Sequence, residues 1–439
     1  MSFQINSINS TFGLKIDVEV FMKFNPFEEK PKSLESCLMD FKTMAGKSYN
    51  KHEASPYTRV RCILMNGTEY ESVWFGHNFH RHVDDNDLKR TLALIRRNEQ
   101  QQQKLISSLK PIDENLLETT IGYEQLAVDL TAFLAQNVKD KNVKDALDFA
   151  LLEDFDHLYR YANMLESDMG AHAEDYVGDY TEIMPARPTI AHHRHPYDSV
   201  KNHIVNKNAD PFDKCAVNII TAAEQQTMNY YMNLGAFYKT QRGREIYAEI
   251  AMVEEQHVTH YGSLIDPSAS WFEMCLMHEY IECYLYYSML CDESEPNVKK
   301  VWEMLLEQEI AHLHASAKNL KKYEKKEWQE VIPNGAFPEL ISFKSNKNYI
   351  RNILKDTVTN TAYREGYIDT CKLDEKSDFY KYQKRVIKKD KDMASHLVIN
   401  DHIERFGKDY RVEDKLSPIK ELQDRSFDNT TLGRVIKKK

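Results

Sequence analysis

Apolar and polar positions along the chain change their period twice. Val60, Cys62 and Leu64 alternate with polar neighbours, Asn66-Gly67 follows, and a β-prone run extends from Thr68 to Phe75. That pattern predicts an antiparallel hairpin closed by a tight Asn-Gly turn. Asp84 to Leu109 is polar, with Gln100 to Gln103 near its centre, and reads as a solvated connecting helix. From Asp113 to Tyr323 apolar residues recur at the helical period. Helices are expected near 114–137, 142–167, 215–236, 242–263, 270–290 and 297–323. A long stretch with Pro185, Pro188, Pro196 and Pro211 separates the second from the third, and the other joints are short. Beyond 325 the chain is Lys-rich and less periodic, with helices expected near 346–358 and 376–404. The fold class is therefore mainly α. A small N-terminal α+β region at 1–110 precedes a helical domain at 111–325 and a helical C-terminal extension at 326–439.

Polar residues inside the helical region fall at a fixed interval. Glu124 is followed 30 residues later by Asp154, and three further on by His157. Glu224 stands in the same relation to Glu254 and His257, and Glu279 to Glu309 and His312. The pattern Glu-x29-[Asp/Glu]-x2-His thus recurs across three expected helix–turn–helix units. A carboxylate and an imidazole three residues apart lie one turn apart on one helix face and can grip the same ion. A Glu on the preceding antiparallel helix can add an oxygen at the same height. Two facing hairpins would then offer four carboxylates and two imidazoles to two divalent cations, leaving the site nearly neutral. The acids lie on apolar stripes. Leu147, Leu151, Tyr161 and Leu165 share the face of Asp154 and His157, while Ile250, Tyr261 and Leu264 share that of Glu254 and His257. Ile220, Thr227, Tyr231 and Leu234 lie in line with Glu224, and Trp302 and Leu305 with Glu309 and His312. A buried acid costs several kcal/mol unless paired or metal-bound. A buried Glu–His hydrogen bond accounts for one such pair; the repetition favours metal.

Composition narrows the picture. With 439 residues, 42% hydrophobic and 29% charged, the chain is globular and long enough for appendages around one large helical domain. A net charge of −10 argues against general nucleic-acid binding, although Val435-Ile436-Lys437-Lys438-Lys439 is locally basic. No uncharged apolar run reaches the roughly 20 residues that span a bilayer. Met1 to Asn6 lacks the basic-then-apolar order of a signal peptide. A cytoplasmic protein with no membrane partner is expected. Seven cysteines with no Cys-x-x-Cys pair speak against a disulfide framework, a rubredoxin-type iron centre and a Cys-based zinc finger.

The repeated residues resemble the ferritin-like di-iron carboxylate superfamily, which includes rubrerythrins, ribonucleotide reductase small subunits and bacterial monooxygenase hydroxylases. The resemblance covers about half of the chain, between Asp113 and Lys325. In that superfamily a Glu or Asp on the first helix and Glu-x-x-His on the second pair with the same elements on the third and fourth. Carried over, it implies Glu124, Asp154, His157, Glu224, Glu254 and His257 as ligands of two iron ions, or of iron and manganese. Asp154 departs from the usual Glu and reaches less far, while neighbouring Glu153 points about 100° away around the helix. The missing Cys-x-x-Cys excludes a complete rubrerythrin with its rubredoxin partner. The resemblance implies a four-helix bundle with an extra hairpin. It also implies a non-haem oxidoreductase that activates O2 or peroxide with an external electron donor, its small-molecule substrate unspecified. The alternative is an iron-sequestering or metal-stabilised scaffold protein without turnover.

Chain length bears on which hairpins meet. In such bundles a two-fold axis relates the hairpins, so the connection must travel the bundle length, about 36 Å for a helix of about 24 residues. The 169–213 segment spans that, whereas Gly262 to Ser270 is too short to do so comfortably. The hairpin of Glu124 is thus expected to face that of Glu224. Three placements stay open for the third hairpin. It can form a separate site, meet its own copy in a homodimer, or replace the second hairpin. Further candidate ligands are His260, Glu279, Glu282, Glu309 and His312. His192-His193-Arg194-His195-Pro196 can cover the site, bind an anion or be an ordinary loop. His77 to His82 holds three histidines but no carboxylate at usable spacing. Tyr123, Tyr230 and Tyr231 flank the expected ligands and suit either a radical or proton-donating role or plain core packing. Met228, Met232, Met274, Met277 and Met289 read as core filling.

Overall fold

The computed structural model describes residues 24–187, 189–389 and 392–406, together with two short paired strands, β1 (Ile8–Asn9) and β2 (Lys15–Ile16). The basic tail Val435 to Lys439 and the stretch Met1 to Asn6 lie outside the described residues. The chain is mainly helical. Eight long helices among the described residues form four hairpins. The first is α1 (Pro56–Arg81) with α2 (Asn86–Ser108), and the second is α3 (Leu116–Asn137) with α4 (Lys141–Met169). A crossover follows, holding the short helices α5 (Glu174–Val177) and α6 (Thr189–His192). The third hairpin is α7 (Pro211–Leu234) with α8 (Gln241–Gly262), and the fourth is α9 (Trp271–Asp292) with α10 (Pro296–Glu324).

Local chemistry sets the helix ends. Ser55 and Asp210 cap α1 and α7 just ahead of Pro56 and Pro211, whose missing N–H costs nothing in a first turn. Asp140 accepts from the Asn142 and Val143 N–H groups, and Ser270 and Glu273 form a reciprocal capping box. Gly170, at φ 67°, ends α4 in the left-handed conformation that a Cβ would strain.

The hairpins assemble inner with inner and outer with outer. Helices α3, α4, α7 and α8 form one group of four, and α1, α2, α9 and α10 form another. Helix α1 lies between them, packed on α3 and α7 as well as on α2 and α9.

That position explains why the expected hairpin at 60–75 is instead part of helix α1. Tyr57 to Met65 are buried one after another, so no polar face marks the helical period and the alternation at Val60, Cys62 and Leu64 misleads. Gly67 is a contact glycine, not a turn glycine. A Cβ there would stand 2.8 Å from the Gln226 side-chain amide of α7, and Gln226 Nε2 donates to Ile63 O at 2.9 Å. Arg61 fastens α1 to the α9–α10 joint through Asp292 at 2.7 Å and Glu293 at 3.2 Å. The Gln-rich helix is no solvated connector either, because Asn98, Glu99 and Gln102 are buried. Among the described residues of 1–110, the two long helices α1 and α2 complete the outer group.

The C-terminal extension braces the inner group. Helices α11 (Lys347–Thr357) and α13 (Ala394–Phe406) pack on α4, and α13 also on α8. Between α11 and α12 (Asp378–Val386) lies an unexpected antiparallel hairpin, β3 (Asn360–Tyr363) with β4 (Gly366–Asp369), with Asn360 opposite Asp369. All seven cysteines are free. No helix among the described residues is long and apolar enough to cross a membrane.

Candidate metal centre

The inner group brings Glu124 of α3, Asp154 and His157 of α4, Glu224 of α7, and Glu254 and His257 of α8 into one buried cluster. All six are at most 1% exposed. Ligand atoms of Glu124, His157 and Glu254 lie within 4.8 Å of one another, and so do those of Asp154, Glu224, Glu254 and His257. The two sets share Glu254. Its Oε1 stands 2.9 Å from His157 Nδ1 and its Oε2 3.2 Å from His257 Nδ1. His257 Nδ1 also lies 3.2 Å from Asp154 Oδ1 and 3.6 Å from Glu224 Oε2. Both oxygens of Glu224, Oε2 of Glu124 and Oδ2 of Asp154 have no hydrogen-bond partner. Buried oxygens left in this way suit a cation.

Electrostatics point the same way. Burial, with the charges of Glu254 and Asp154 added, pushes Glu124 well above the usual carboxylate range. Burial and Asp154 do the same to Glu224. Glu254 stays below that range in spite of burial, because His157 and His257 hydrogen-bond to it. Four acids in such a space must hold protons or a cation.

One imidazole of the cluster, that of His257, is oriented from outside it. His257 Nε2 donates to Glu153 Oε2 at 2.8 Å, and Arg194 from the crossover grips Glu153 at 2.8 and 3.0 Å. Burial alone would raise Glu153, but Arg194 and His257 hold it at about 2. Glu153, which the sequence reading set aside as pointing away, thus orients a candidate ligand. Of the crossover histidine run, Arg194 reaches that network, while His192 hydrogen-bonds to Arg187 O at 2.9 Å. His260 belongs to neither set; its Nε2 lies 3.0 Å from Tyr367 Oη of β4, and its ring stacks on Phe149. It is not placed as a seventh ligand. Tyr231 Oη donates to Glu124 Oε1 at 2.5 Å and packs against Tyr161 and Tyr247.

The remaining candidates Glu279, Glu282, Glu309 and His312 come together in the outer group. Ligand atoms of Glu279, Glu282 and Glu309 form one close set, and those of Glu99, Glu279 and His312 a second that shares Glu279. His312 Nδ1 lies 3.0 Å from Glu309 Oε2, and its Nε2 3.0 Å from Asn98 Oδ1. The fourth hairpin thus meets the first within the chain, which removes the need for a second copy.

Sequence reading missed the first hairpin's share: Glu69, Glu99 and Gln102. The signal was present, since Glu99 and Gln102 follow Glu69 by 30 and 33 residues, the interval of the other three units. Gln in place of His, and the strand-like look of α1, hid it. Glu69, Glu99, Gln102, Glu124, Asp154 and His157 all recur 155 residues later as Glu224, Glu254, His257, Glu279, Glu309 and His312. The chain therefore carries its hairpin pair twice, and each cluster takes one hairpin from each half.

Comparison with known proteins adds no identity: no family model, curated protein or solved structure matches the chain.

Proposed function

We propose that this chain is a non-haem oxidoreductase that activates O2 or peroxide at a di-iron, or iron–manganese, site in the inner group of helices, which we read as a ferritin-like bundle. The observation that carries the reading is Glu254, whose two oxygens face two different imidazoles and belong to two ligand sets. A carboxylate so placed suits a bridge between two ions. Glu124 and His157 would hold one, and Asp154, Glu224 and His257 the other.

When bound, the metal pair would supply electrons and open coordination positions to O2 or peroxide. The chain's own groups do the rest. Glu153 and Arg194 keep His257 turned so that Nδ1 faces the carboxylates. Tyr231 holds a proton at Glu124 Oε1 and is a proton donor beside the cluster. Leu151, Leu158 and Ile250 belong to the buried core of the same group, and a low-polarity surrounding of this kind would strengthen the charge interactions inside.

The test is metal content and O2 or peroxide consumption of wild type against E254A/H257A, each reloaded anaerobically with Fe2+. Wild type is expected to consume O2 or peroxide faster than free iron, and the variant to lose about two ions per chain and that activity together. Unchanged metal and unchanged consumption would sink the assignment. Metal retained by wild type without turnover would favour sequestration or a metal-stabilised scaffold.

A further inference from the structure

The outer group repeats the inner one in more than spacing. Tyr231 stands seven residues after Glu224 and bonds Glu124; Tyr286 stands seven residues after Glu279 and bonds Glu69. His257 Nε2 pairs with Glu153, the residue before Asp154, and His312 Nε2 pairs with Asn98, the residue before Glu99. In each cluster one imidazole, that of His257 or His312, is therefore held by its far nitrogen, with Nδ1 left for the acids. Glu69, Glu99, Gln102, Glu279, Glu282, Glu309 and His312 are at most 3% exposed. Glu69 Oε2, Gln102 Oε1 and Glu279 Oε2 have no hydrogen-bond partner. The amide of Gln102 is oriented, because its Nε2 donates to Gln308 at 3.1 Å and to Glu309 at 2.6 Å, leaving the oxygen free. An acidic cluster alone would carry little. Three unpaired buried oxygens, an oriented imidazole and the repeated Tyr–Glu bond carry more.

The donors differ from those of the inner cluster in a definite way. Four carboxylates and one imidazole form the close sets, with Glu69 and the Gln102 amide beside them, in place of four carboxylates and two imidazoles. Oxygen-rich sites suit Mn2+, whereas imidazole suits iron and later metals. There is also a path inward. A cavity of about 890 Å³ between α1, α7 and α9 is lined by Thr68, Glu71, Met277, His278, Ile281 and Glu282, so it reaches a candidate ligand.

We propose that the outer group of helices holds a second dinuclear metal centre, formed by Glu69, Glu99, Gln102, Glu279, Glu282, Glu309 and His312, that retains Mn2+ in preference to the inner one. Its existence needs neither metal nor O2 chemistry at the inner centre; only the Mn2+ preference is read against that centre.

Full-length protein stripped with chelator is reloaded anaerobically with equal Fe2+ and Mn2+, desalted and analysed for metals per chain. Wild type is expected to retain about four ions, and E254A/H257A and E279Q/E309Q about two each. The Mn-to-Fe ratio should rise in E254A/H257A and fall in E279Q/E309Q. Two ions in wild type and none in E254A/H257A would overturn the second centre while leaving the first. Two ions retained by both wild type and E254A/H257A, but none by E279Q/E309Q, would support the second and remove the first. No retained metal in any of the three would remove both. An unchanged Mn-to-Fe ratio with the expected counts would overturn the metal preference. If either double variant does not fold, the isosteric single substitutions E254Q and E279Q are read by the same ratio. Titrating wild type with Co2+ gives the stoichiometry without any variant, and an end point at two would overturn a pair of centres.

Discussion

The inner and outer clusters share a plan and differ in how it is supported. In both, a Glu on each first helix and an acid with a side chain three residues on from each second helix converge, and a tyrosine bonds one lone Glu. The inner cluster has two imidazoles and a charged support, His257 to Glu153 to Arg194. The outer has one imidazole and a neutral support, His312 to Asn98, whose amide donates to Cys37 O at 2.9 Å and Gln308 at 3.2 Å. Arg194 comes from the crossover between the halves, which packs on the inner group. The lesson is that repeated helical spacing preserves where donors stand, while what orients them depends on the segment that happens to cover each side.

The largest way to break the comparison is R194A. It leaves buried Glu153 with His257 as its hydrogen-bonded partner and Arg187 as a more distant cation, and should cost about 3–5 kcal/mol in denaturant unfolding of metal-free protein. Metal bound at the outer cluster of the folded variant should not change. Loss of less than about 1 kcal/mol would mean that the charged support is not what distinguishes the inner cluster.

N98A removes the neutral support and should act on the other side only. Metal affinity of the outer cluster is expected to fall about 10–100-fold, as for other partners that orient a ligating imidazole. Competition with a chelator would measure this in the E254A/H257A background. An equal fall at the inner cluster in N98A alone would mean that the two are not independent.

Q102H sharpens the comparison by giving the outer cluster its second imidazole. Roughly tenfold tighter Fe2+ binding there is expected, about 1.4 kcal/mol, with the preference for Mn2+ reduced. No change would show that position 102 does not face the metal.

Much of the inner cluster was legible because its signal is local. Asp154 and His157, or Glu254 and His257, share a face whenever the segment is helical, whatever it packs on. The crossover length also bore on which hairpin would face that of Glu124. The outer cluster was only half legible. Glu279, Glu309 and His312 carried the motif, but of their partners Glu69 sits on α1, whose unbroken burial from Tyr57 to Met65 hid the helical period, and Glu99 and Gln102 sit on the polar helix α2. Gln102 in place of His broke the remaining pattern. The hairpin at β3 and β4 was missed because its four-residue strands are too short for an alternating pattern to stand out.

By itself the sequence determined the long helices from Leu116 to Glu324, the donor types and the interval that aligns them. Each of these depends on neighbours within a few turns of the same chain segment. Only the tertiary structure decided that α1 is a helix, that the fourth hairpin closes on the first, that Arg194 reaches Glu153, and that His260 turns to Tyr367. Those outcomes depend on surfaces brought together from distant parts of the chain, where packing and the cost of burying an unpaired charge outweigh local preference.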